Sequence, residues 1–444
     1  MKVLHKGLAA NFFSLSLVQV ANSVLPIITF PIVARIIGPD KFGAISFAGA
    51  AVTYFTLLIN YGFDLSSTRT IAKNRDNAAV RDRVFSEVLF AKIFLLSISA
   101  ILFLITLFTI PQFANEKKLL AFTFLSCFGA VITPNWFYQG MQELYRVAIF
   151  NFVSKLLFTV SILFVIREQK DYLLQPLILS ISSIVVAAAS FLWAIKKYEI
   201  KIYTVGMAEI LRVLWREKTI FLSGVVISLY TTTNIIILGM VQTTRDVAFF
   251  SAASKMIIIS QTLISTPLSL SLFPFIGESF GQGRLNGIER VKKITPFITV
   301  FTFLAGVAVW LFAPLIIRIF FGDAFQEATA VLRILSFVPL IIAMSDLLGI
   351  QTMINLDMDR PFFKITFIGA IFGLFLNFAL SKYYGAEGTA WAWVLSEIVI
   401  TFCMWLFLFS KKIQLFDPRY FRYTHFMEVA RPFLSFVRNK VCKS

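Results

Sequence analysis

The chain has 444 residues, of which 58% are hydrophobic and 15% are charged, and its mean hydropathy is +0.80. Soluble domains contain roughly 45–50% apolar and about 25% charged residues, so this composition excludes an ordinary water-soluble domain. Apolar runs recur along the whole length, as in proteins with several membrane-spanning helices. The sequence therefore predicts an all-α integral membrane protein without a sizeable soluble domain.

The apolar runs divide the chain into about twelve predicted transmembrane helices, because a helix needs about 20 residues to cross the roughly 30 Å hydrocarbon layer. In chain order these are roughly 9–36, 43–65, 85–109, 118–138, 146–166, 172–195, 219–241, 246–276, 295–321, 329–354, 363–382 and 388–410. A basic amphipathic segment at 198–218 separates the sixth helix from the seventh and predicts an interfacial linker helix. The predicted organisation is two six-helix lobes, 1–197 and 219–410, followed by a basic tail at 411–444.

The distribution of lysine and arginine predicts the orientation, because these residues favour cytoplasmic loops. With both termini inside, 28 of the 41 basic residues lie in cytoplasmic segments and 10 in periplasmic loops or their borders. We therefore predict a bacterial inner-membrane protein with cytoplasmic termini. The net charge of +17 then reflects topology and contact with anionic lipid, and gives no reason to expect nucleic-acid binding.

The sequence gives little support to catalysis. A phosphate-binding loop of the G-x-x-x-x-G-K-[ST] type is missing, and the two histidines, His5 and His425, fall in the predicted termini. We predict a transporter with no catalytic residues, no metal site and no cofactor, which uses an ion gradient or the membrane potential if its transport is active.

Three lysines lie inside predicted spans, where a charge is costly and commonly faces a polar cavity or a partner. Lys92, Lys155 and Lys255 can together line a cavity that receives a diphosphate or an acidic sugar. The alternative is that each ammonium extends to an interface or pairs with a nearby polar group, such as Asn151 one turn before Lys155.

Three further charges are candidates for function. Asp346 and Glu397 lie inside the tenth and twelfth predicted helices, where a carboxylate can bind a coupling proton or sodium ion or serve as a structural partner. Arg35, near the end of the first helix, is a further candidate for substrate contact or a solvated charge at the membrane surface. Trp136, Phe137 and Tyr138 fit an interfacial aromatic belt, with stacking on a sugar as the alternative.

Several segments resemble the bacterial polysaccharide repeat-unit flippases of the Wzx type, within the multidrug/oligosaccharidyl-lipid/polysaccharide (MOP) exporter superfamily. The resemblance covers nearly the whole chain. It is carried by LPIITFPIVARIIGPDKFG (25–43), YGFDLSSTRTIAKNRD (61–76), PNWFYQGMQELYRVAIFN (134–151), SAASKMI (251–257) and LLGIQTMI (347–354). The Trp-Phe-Tyr-Gln-Gly portion is the most specific of these.

This resemblance implies a MATE-like MOP fold, a V-shaped bundle of two six-helix lobes that alternates access to a central, often cationic, vestibule. It implies an oligosaccharide on undecaprenyl diphosphate as substrate, carried from the cytoplasmic to the periplasmic leaflet, and polysaccharide polymerase or chain-length machinery as further partners. Such a ligand has a doubly negative headgroup and a long apolar tail. Arg35 gains weight because it lies in a family-like segment, whereas the three lysines are candidates from their position alone.

Two other functions stay open. A small-molecule or drug exporter of the same superfamily would need acidic rather than basic residues facing its cavity, so the intramembrane lysines argue against it. A membrane glycosyltransferase or polymerase would be expected to carry larger periplasmic loops with paired carboxylates.

Overall fold

The computed structural model describes residues 2–262 and 266–421, and these residues form helices with no β-strand. Most of the predicted basic tail, with His425, lies outside them. The α-helices are α1 Lys2–Asn60, α2 Phe63–Lys73, α3 Ala78–Thr109, α4 Pro111–Asn115, α5 Lys117–Phe124, α6 Ser126–Ile132, α7 Asn135–Gly140, α8 Leu144–Val165, α9 Leu174–Tyr198, α10 Met207–Thr231, α11 Thr233–Val241, α12 Thr244–Ser260, α13 Thr266–Gly281, α14 Arg284–Phe321, α15 Ala328–Leu335, α16 Val338–Leu348 and α17 Asp359–Ser410. Short 3₁₀ segments lie at Gln169–Leu173, Asp323–Phe325, Ile354–Leu356 and Pro418–Phe421, and a π-helical turn lies at Gly349–Met353.

Eight stretches of the described residues are long and apolar enough to cross a membrane. The prediction of an all-helical, multi-pass membrane protein is confirmed, whereas the total of twelve helices stays a prediction. Two of the eight stretches contain a sharp turn of the backbone, at Gly38 (φ 76°) and at Gly385 (φ 55°). Glycine tolerates this backbone region without the steric penalty of a Cβ atom. Each turn falls between two spans that the sequence predicts as separate helices.

The predicted linker helix is part of a longer element. Helix α10 begins at Met207 and runs without interruption to Thr231, so it covers residues 207–218 of the predicted linker and the start of the seventh predicted span. Residues 200–206 of that linker are not helical. Ile210 and Leu214 are buried, whereas Leu211 and Trp215 are exposed. The apolar face of this helix is therefore divided between a protein-facing stripe and an outward stripe, and its position at the membrane surface stays a prediction.

The structure contains two compact units. Unit 1 runs to Ala252 and includes Ile317–Gln326. One cluster of its buried side chains brings aromatic rings of α3 and α7 together, with Phe85 packed against both Trp136 and Phe137. Helices α2 and α7 lie so close together that a Cβ atom on Gly140 would be 2.7 Å from the Ile71 side chain. The glycine of the Trp-Phe-Tyr-Gln-Gly segment is thus required by packing.

Unit 2 comprises Ala253–Ile316 and the residues from Glu327 onward. Its core is formed by apolar residues of α13, α14, α16 and α17, among them Ile276, Ile298, Leu347 and Met404. Ile413 and Leu415 pack on the same core, so the chain that follows α17 is held against unit 2.

Candidate translocation site

Lys92 lies in the interior of unit 1, with only 1% of its surface exposed. Its ammonium donates hydrogen bonds to Asn60 Oδ1 at 3.0 Å and to the Ala130 carbonyl at 3.1 Å. A buried charge without partners would be strongly destabilising, so these two acceptors explain how α3 accommodates a lysine. The structure thus gives Lys92 a role in joining α1, α3 and α6.

The Ala130 carbonyl is available to Lys92 because of a proline. In a continuing α-helix the N–H of the residue four positions later would donate to this carbonyl. Here that residue is Pro134, which has no N–H, and α6 ends at Ile132. The first residue of the family-like segment PNWFYQG therefore frees an acceptor inside the membrane, and the lysine ammonium occupies it.

The aromatic residues that follow are buried. Trp136 is 3% exposed, and Phe137 and Tyr138 are fully buried. The Tyr138 hydroxyl donates to the Ser190 carbonyl at 2.5 Å. Both sequence interpretations of these rings are wrong in this structure, because a belt residue faces lipid and a sugar platform faces a cavity. The segment forms the packed core between α7 and α9 instead.

Lys155 lies on α8 and is half-buried, one turn after the exposed Asn151. Helix α8 is held against α1, and a hydrogen bond of 2.8 Å between the hydroxyls of Thr29 and Thr159 is buried at their contact. Lys155 therefore lies on a helix that packs against α1, and it is less enclosed than Lys92.

Arg35 is exposed and caps the end of α14. Its Nε donates to the Phe320 carbonyl at 3.1 Å, and one terminal nitrogen donates to the carbonyls of Arg318, at 3.0 Å, and Ile319. These carbonyls belong to the last turn of the helix, where a positive charge is favourable. The Arg318 carbonyl also accepts from the Gly322 amide at 3.1 Å. A guanidinium has five N–H groups, so donors remain for an anionic ligand.

Unit 2 contains the third lysine. Lys255 is half-buried on α12 and directly follows Ala252, Ala253 and Ser254, which are buried. The structure therefore places Lys92, Lys155 and Arg35 in unit 1 and Lys255 in unit 2. A shared lysine-lined cavity stays a prediction.

The two intramembrane carboxylates also lie in unit 2. Asp346 accepts a hydrogen bond of 3.3 Å from Gln351 Nε2, which also donates to the Ser269 hydroxyl at 3.1 Å. Gln351 is fully buried and lies in the π-helical turn, and such turns are frequent at functional sites. Glu397 is 2% exposed on α17. Among the described residues, no group of histidine, cysteine, aspartate and glutamate side chains could hold a metal ion.

A cluster of charges missed by the sequence reasoning surrounds Glu143, between α7 and α8. Arg146 Nε donates to its carboxylate at 2.7 Å, and Lys197 donates from α9. The Arg146 guanidinium lies 3.4 Å from the centre of the Trp193 ring. Burial alone would raise the pKa of Glu143, but hydrogen bonds from Lys197, Tyr198 and Arg146 hold it below its ordinary value of 4.5.

Glutamine at position 143 is expected to destabilise the protein by about 1–2 kcal/mol at neutral pH, because hydrogen bonds to a charged group are lost. The pKa is lowered by folding, so this contribution is fully present above pH 4.5 and disappears as the pH falls through the folded-state pKa. Thermal unfolding of the purified Glu143→Gln protein and the wild type at several pH values measures the difference. The exposed pair of Glu168 and Lys170 supplies the control, because Glu168→Gln should change little at any pH. A destabilisation that is equal at pH 7 and pH 3.5 would contradict this account.

Comparison with solved structures defines the class of protein. The chain is similar to a structure described as lipid II flippase MurJ in an inward closed conformation, with a TM-score of 0.73 and 14% identity over 96% of this chain and 92% of that one. It is also similar to a structure of a multidrug resistance MATE family transporter of the MOP superfamily, with a TM-score of 0.63 and 14% identity over 88% of this chain and 94% of that one. The protein thus has the fold of the MOP transporters, as the sequence predicts.

The particular family follows from sequence. The family model described as polysaccharide biosynthesis protein matches residues 8–280, and the chain belongs to this family. Two relatives share the name "Putative O-antigen transporter". The protein from Escherichia coli (strain K12) is 27% identical over 408 residues, which cover 92% of this chain and 98% of the relative, and the one from Shigella dysenteriae is 25% identical over 397 residues, which cover 89% and 98%. The prediction of a transporter rather than an enzyme is confirmed.

Proposed function

We propose that this protein is a flippase that moves undecaprenyl-diphosphate-linked oligosaccharide repeat units, of O-antigen or a related surface polysaccharide, from the cytoplasmic to the periplasmic leaflet. The observation that carries the proposal is the similarity over nearly the full length to relatives named as O-antigen transporters. The MOP fold supports it, because that fold also occurs in a lipid II flippase. Transport proceeds by alternating access, in the inner membrane, with both termini in the cytoplasm.

The proposed lobes are residues 1–197 and 219–410, with the linker at 198–218 and a cytoplasmic tail at 411–444. Within them, Lys155 and Lys255 attract the diphosphate during its passage, because both are half-buried and solvent screens an ammonium only weakly in such a place. Arg35 adds hydrogen-bond donors for the diphosphate at the end of the first predicted span. Lys92 contributes to the positive electrostatic potential that the diphosphate meets, but it does not contact the substrate, because its ammonium is hydrogen-bonded to Asn60 and Ala130 in the interior.

The coupling ion is proposed to bind in unit 2. Asp346 is linked through Gln351 to the Ser269 hydroxyl, and a carboxylate among amide and hydroxyl groups can take up a proton or coordinate sodium. Glu397, which is buried on α17, is the second candidate. Replacing Asp346 or Glu397 with its amide would remove the negative charge that attracts the proton or sodium ion.

The decisive experiment is the sidedness of the lipid-linked repeat unit in a deletion strain. Loss of surface polysaccharide with accumulation of a complete unit on the cytoplasmic face supports flipping. Translocated but unpolymerised or incomplete units would assign the protein to sugar transfer or polymerisation. Unaltered glycan together with changed drug sensitivity would favour a small-molecule exporter.

A further inference from the structure

A groove in the surface of unit 2 is lined almost entirely by hydrocarbon. Its volume is about 520 Å³, within the range of roughly 300–1,000 Å³ that is common for ligand sites. The lining comes from α14, α16, α17 and the chain beyond α17, and includes Met344, Leu348, Ile398, Phe402, Trp405 and Phe416. The rings of Phe402 and Trp405 are stacked with centres 5.7 Å apart, so one wall of the groove is a rigid aromatic surface.

The threonine hydroxyls of the groove are already used. Two threonines contribute to the lining, and each hydroxyl donates to a carbonyl of its own helix. Thr299 donates to Thr295 and Thr401 donates to Glu397, both at 2.7 Å. A sugar would find no free hydroxyl donor at these two positions, whereas a hydrocarbon chain would meet an almost wholly apolar surface. The groove therefore favours the tail of a lipid over its headgroup.

Basic residues lie near Phe416, which lines the groove. Lys411, Lys412 and Arg419 are within five residues of it in the chain, Lys292 acts on the adjacent Asp417, and these four residues are defined here as the basic rim. Lys411 and Lys412 are exposed.

Two acidic groups act on this rim. The Asp417 carboxylate accepts hydrogen bonds from Nε and a terminal nitrogen of Arg419, at 3.0 and 2.7 Å, and Glu289 interacts with Arg419 and accepts a hydrogen bond from the Tyr420 hydroxyl. The pKa of Asp417 is lowered to about 2 by its hydrogen bonds with Arg419 and by Lys292. The four basic residues of the rim outnumber the two carboxylates, Asp417 and Glu289, so the local charge is positive. A negatively charged headgroup is favoured beside the apolar groove, because basic residues near the membrane surface attract anionic lipid.

We propose that this groove binds the isoprene units nearest the diphosphate of the transported polyprenyl lipid, with the diphosphate at the basic rim. This inference rests on the proposed flippase function and adds a site for the lipid tail. A single apolar groove beside a cluster of cations matches a ligand with one long chain and a doubly charged headgroup. Seating the tail in unit 2 would hold the carrier while its sugar passes through the protein.

Photolabelling of the purified full-length protein tests the site directly. The probe is undecaprenyl diphosphate with a diazirine on the isoprene units nearest the diphosphate, and adducts are mapped by mass spectrometry. We expect labelling of 338–348 and 398–405. Ile398→Trp, which fills the groove, should reduce this labelling about tenfold, equivalent to about 1.4 kcal/mol.

Leu406→Trp is the matched control. Leu406 lies on the same helix and is 44% exposed, as Ile398 is, but it does not line the groove. Labelling should be unchanged in this variant. Equal labelling of the Ile398→Trp and Leu406→Trp proteins would overturn the proposed tail site.

The rim and the source of the lipid are tested separately. The double substitution Lys411→Gln and Lys412→Gln should weaken labelling by the diphosphate probe about fivefold per lysine, while leaving labelling by the uncharged polyprenol unchanged. A photoreactive phosphatidylglycerol that labels the groove and is not displaced by undecaprenyl diphosphate would show that bulk phospholipid covers it, and would overturn the inference.

Failure of this inference is distinguishable from failure of the proposed function. Adducts that lie only outside the groove, in a protein that restores surface polysaccharide to the deletion strain, would remove the tail site and leave the flippase function intact. Repeat units that still reach the periplasmic face in the deletion strain would contradict the proposed flippase function itself.

Discussion

Replacing Lys255 or Lys155 with glutamine is expected to reduce surface polysaccharide about tenfold or more, without changing the amount of folded protein in the membrane. Both lysines are half-buried, and a charge in this environment interacts more strongly with a diphosphate than it would in water. A loss of 1.4 kcal/mol in stabilisation of the passing substrate corresponds to a factor of about ten. Export is measured by complementation of the deletion strain, with membrane protein quantified in parallel.

Two controls separate charge from other effects. Lys255→Arg and Lys155→Arg keep the positive charge and should retain most of the export. Lys170→Gln removes a charge from an exposed ion pair between predicted spans and should have no effect. Lys92 is unsuited to this test, because its ammonium is bonded in the interior and its removal also disturbs packing. Full export by both glutamine variants would refute the proposed role of these lysines.

Alanine at position 43 is expected to destabilise unit 1 by about 3 kcal/mol or more. A Cβ atom on Gly43 would lie 1.7 Å from the carbonyl oxygen of Thr244 and 3.1 Å from the amide nitrogen of Ala248. These are backbone atoms of α12, so no side-chain rotation relieves the clash. The helices α1 and α12 would have to separate, and the apolar contacts around them would be lost.

The matched control is Gly49→Ala on the same helix. A Cβ atom at Gly49 would meet no atom within 4 Å, and alanine is favoured over glycine in a helix by roughly 0.5–1 kcal/mol. Unfolding temperatures of the purified variants are compared, together with their yields from the membrane. Equal stability of the Gly43→Ala and Gly49→Ala proteins would show that the α1–α12 contact is looser than the structure indicates.

The family-like segments of the sequence acquire a physical meaning in the structure. Phe42 packs edge-on against Phe321 and Phe325, and the glycine that follows it permits the contact with α12. In PNWFYQG, the proline frees the acceptor for Lys92 and the glycine allows α2 to meet α7. At these positions the family-like residues serve the packing of the helices.

Intramembrane charges show where reasoning from sequence ends. Hydropathy identifies Lys92, Lys155 and Lys255 as three equivalent exceptions in apolar helices. The structure separates them, because Lys92 donates to Asn60 on α1 and to a carbonyl of α6, whereas Lys155 and Lys255 are more accessible. The acceptors of Lys92 lie 32 and 38 residues away in the chain, and sequence spacing gives no indication that they meet.

The sequence by itself determined the membrane class, the helical fold and the transporter family, because these depend on composition, on runs of apolar residues and on local motifs. It also indicated the turns near Gly38 and Gly385 between predicted spans. Only the tertiary structure decided which side of each helix is buried, so that Trp136, Phe137 and Tyr138 form a core instead of a belt. A helix in a membrane is apolar on its protein-facing and lipid-facing sides alike, and hydropathy therefore cannot distinguish the two.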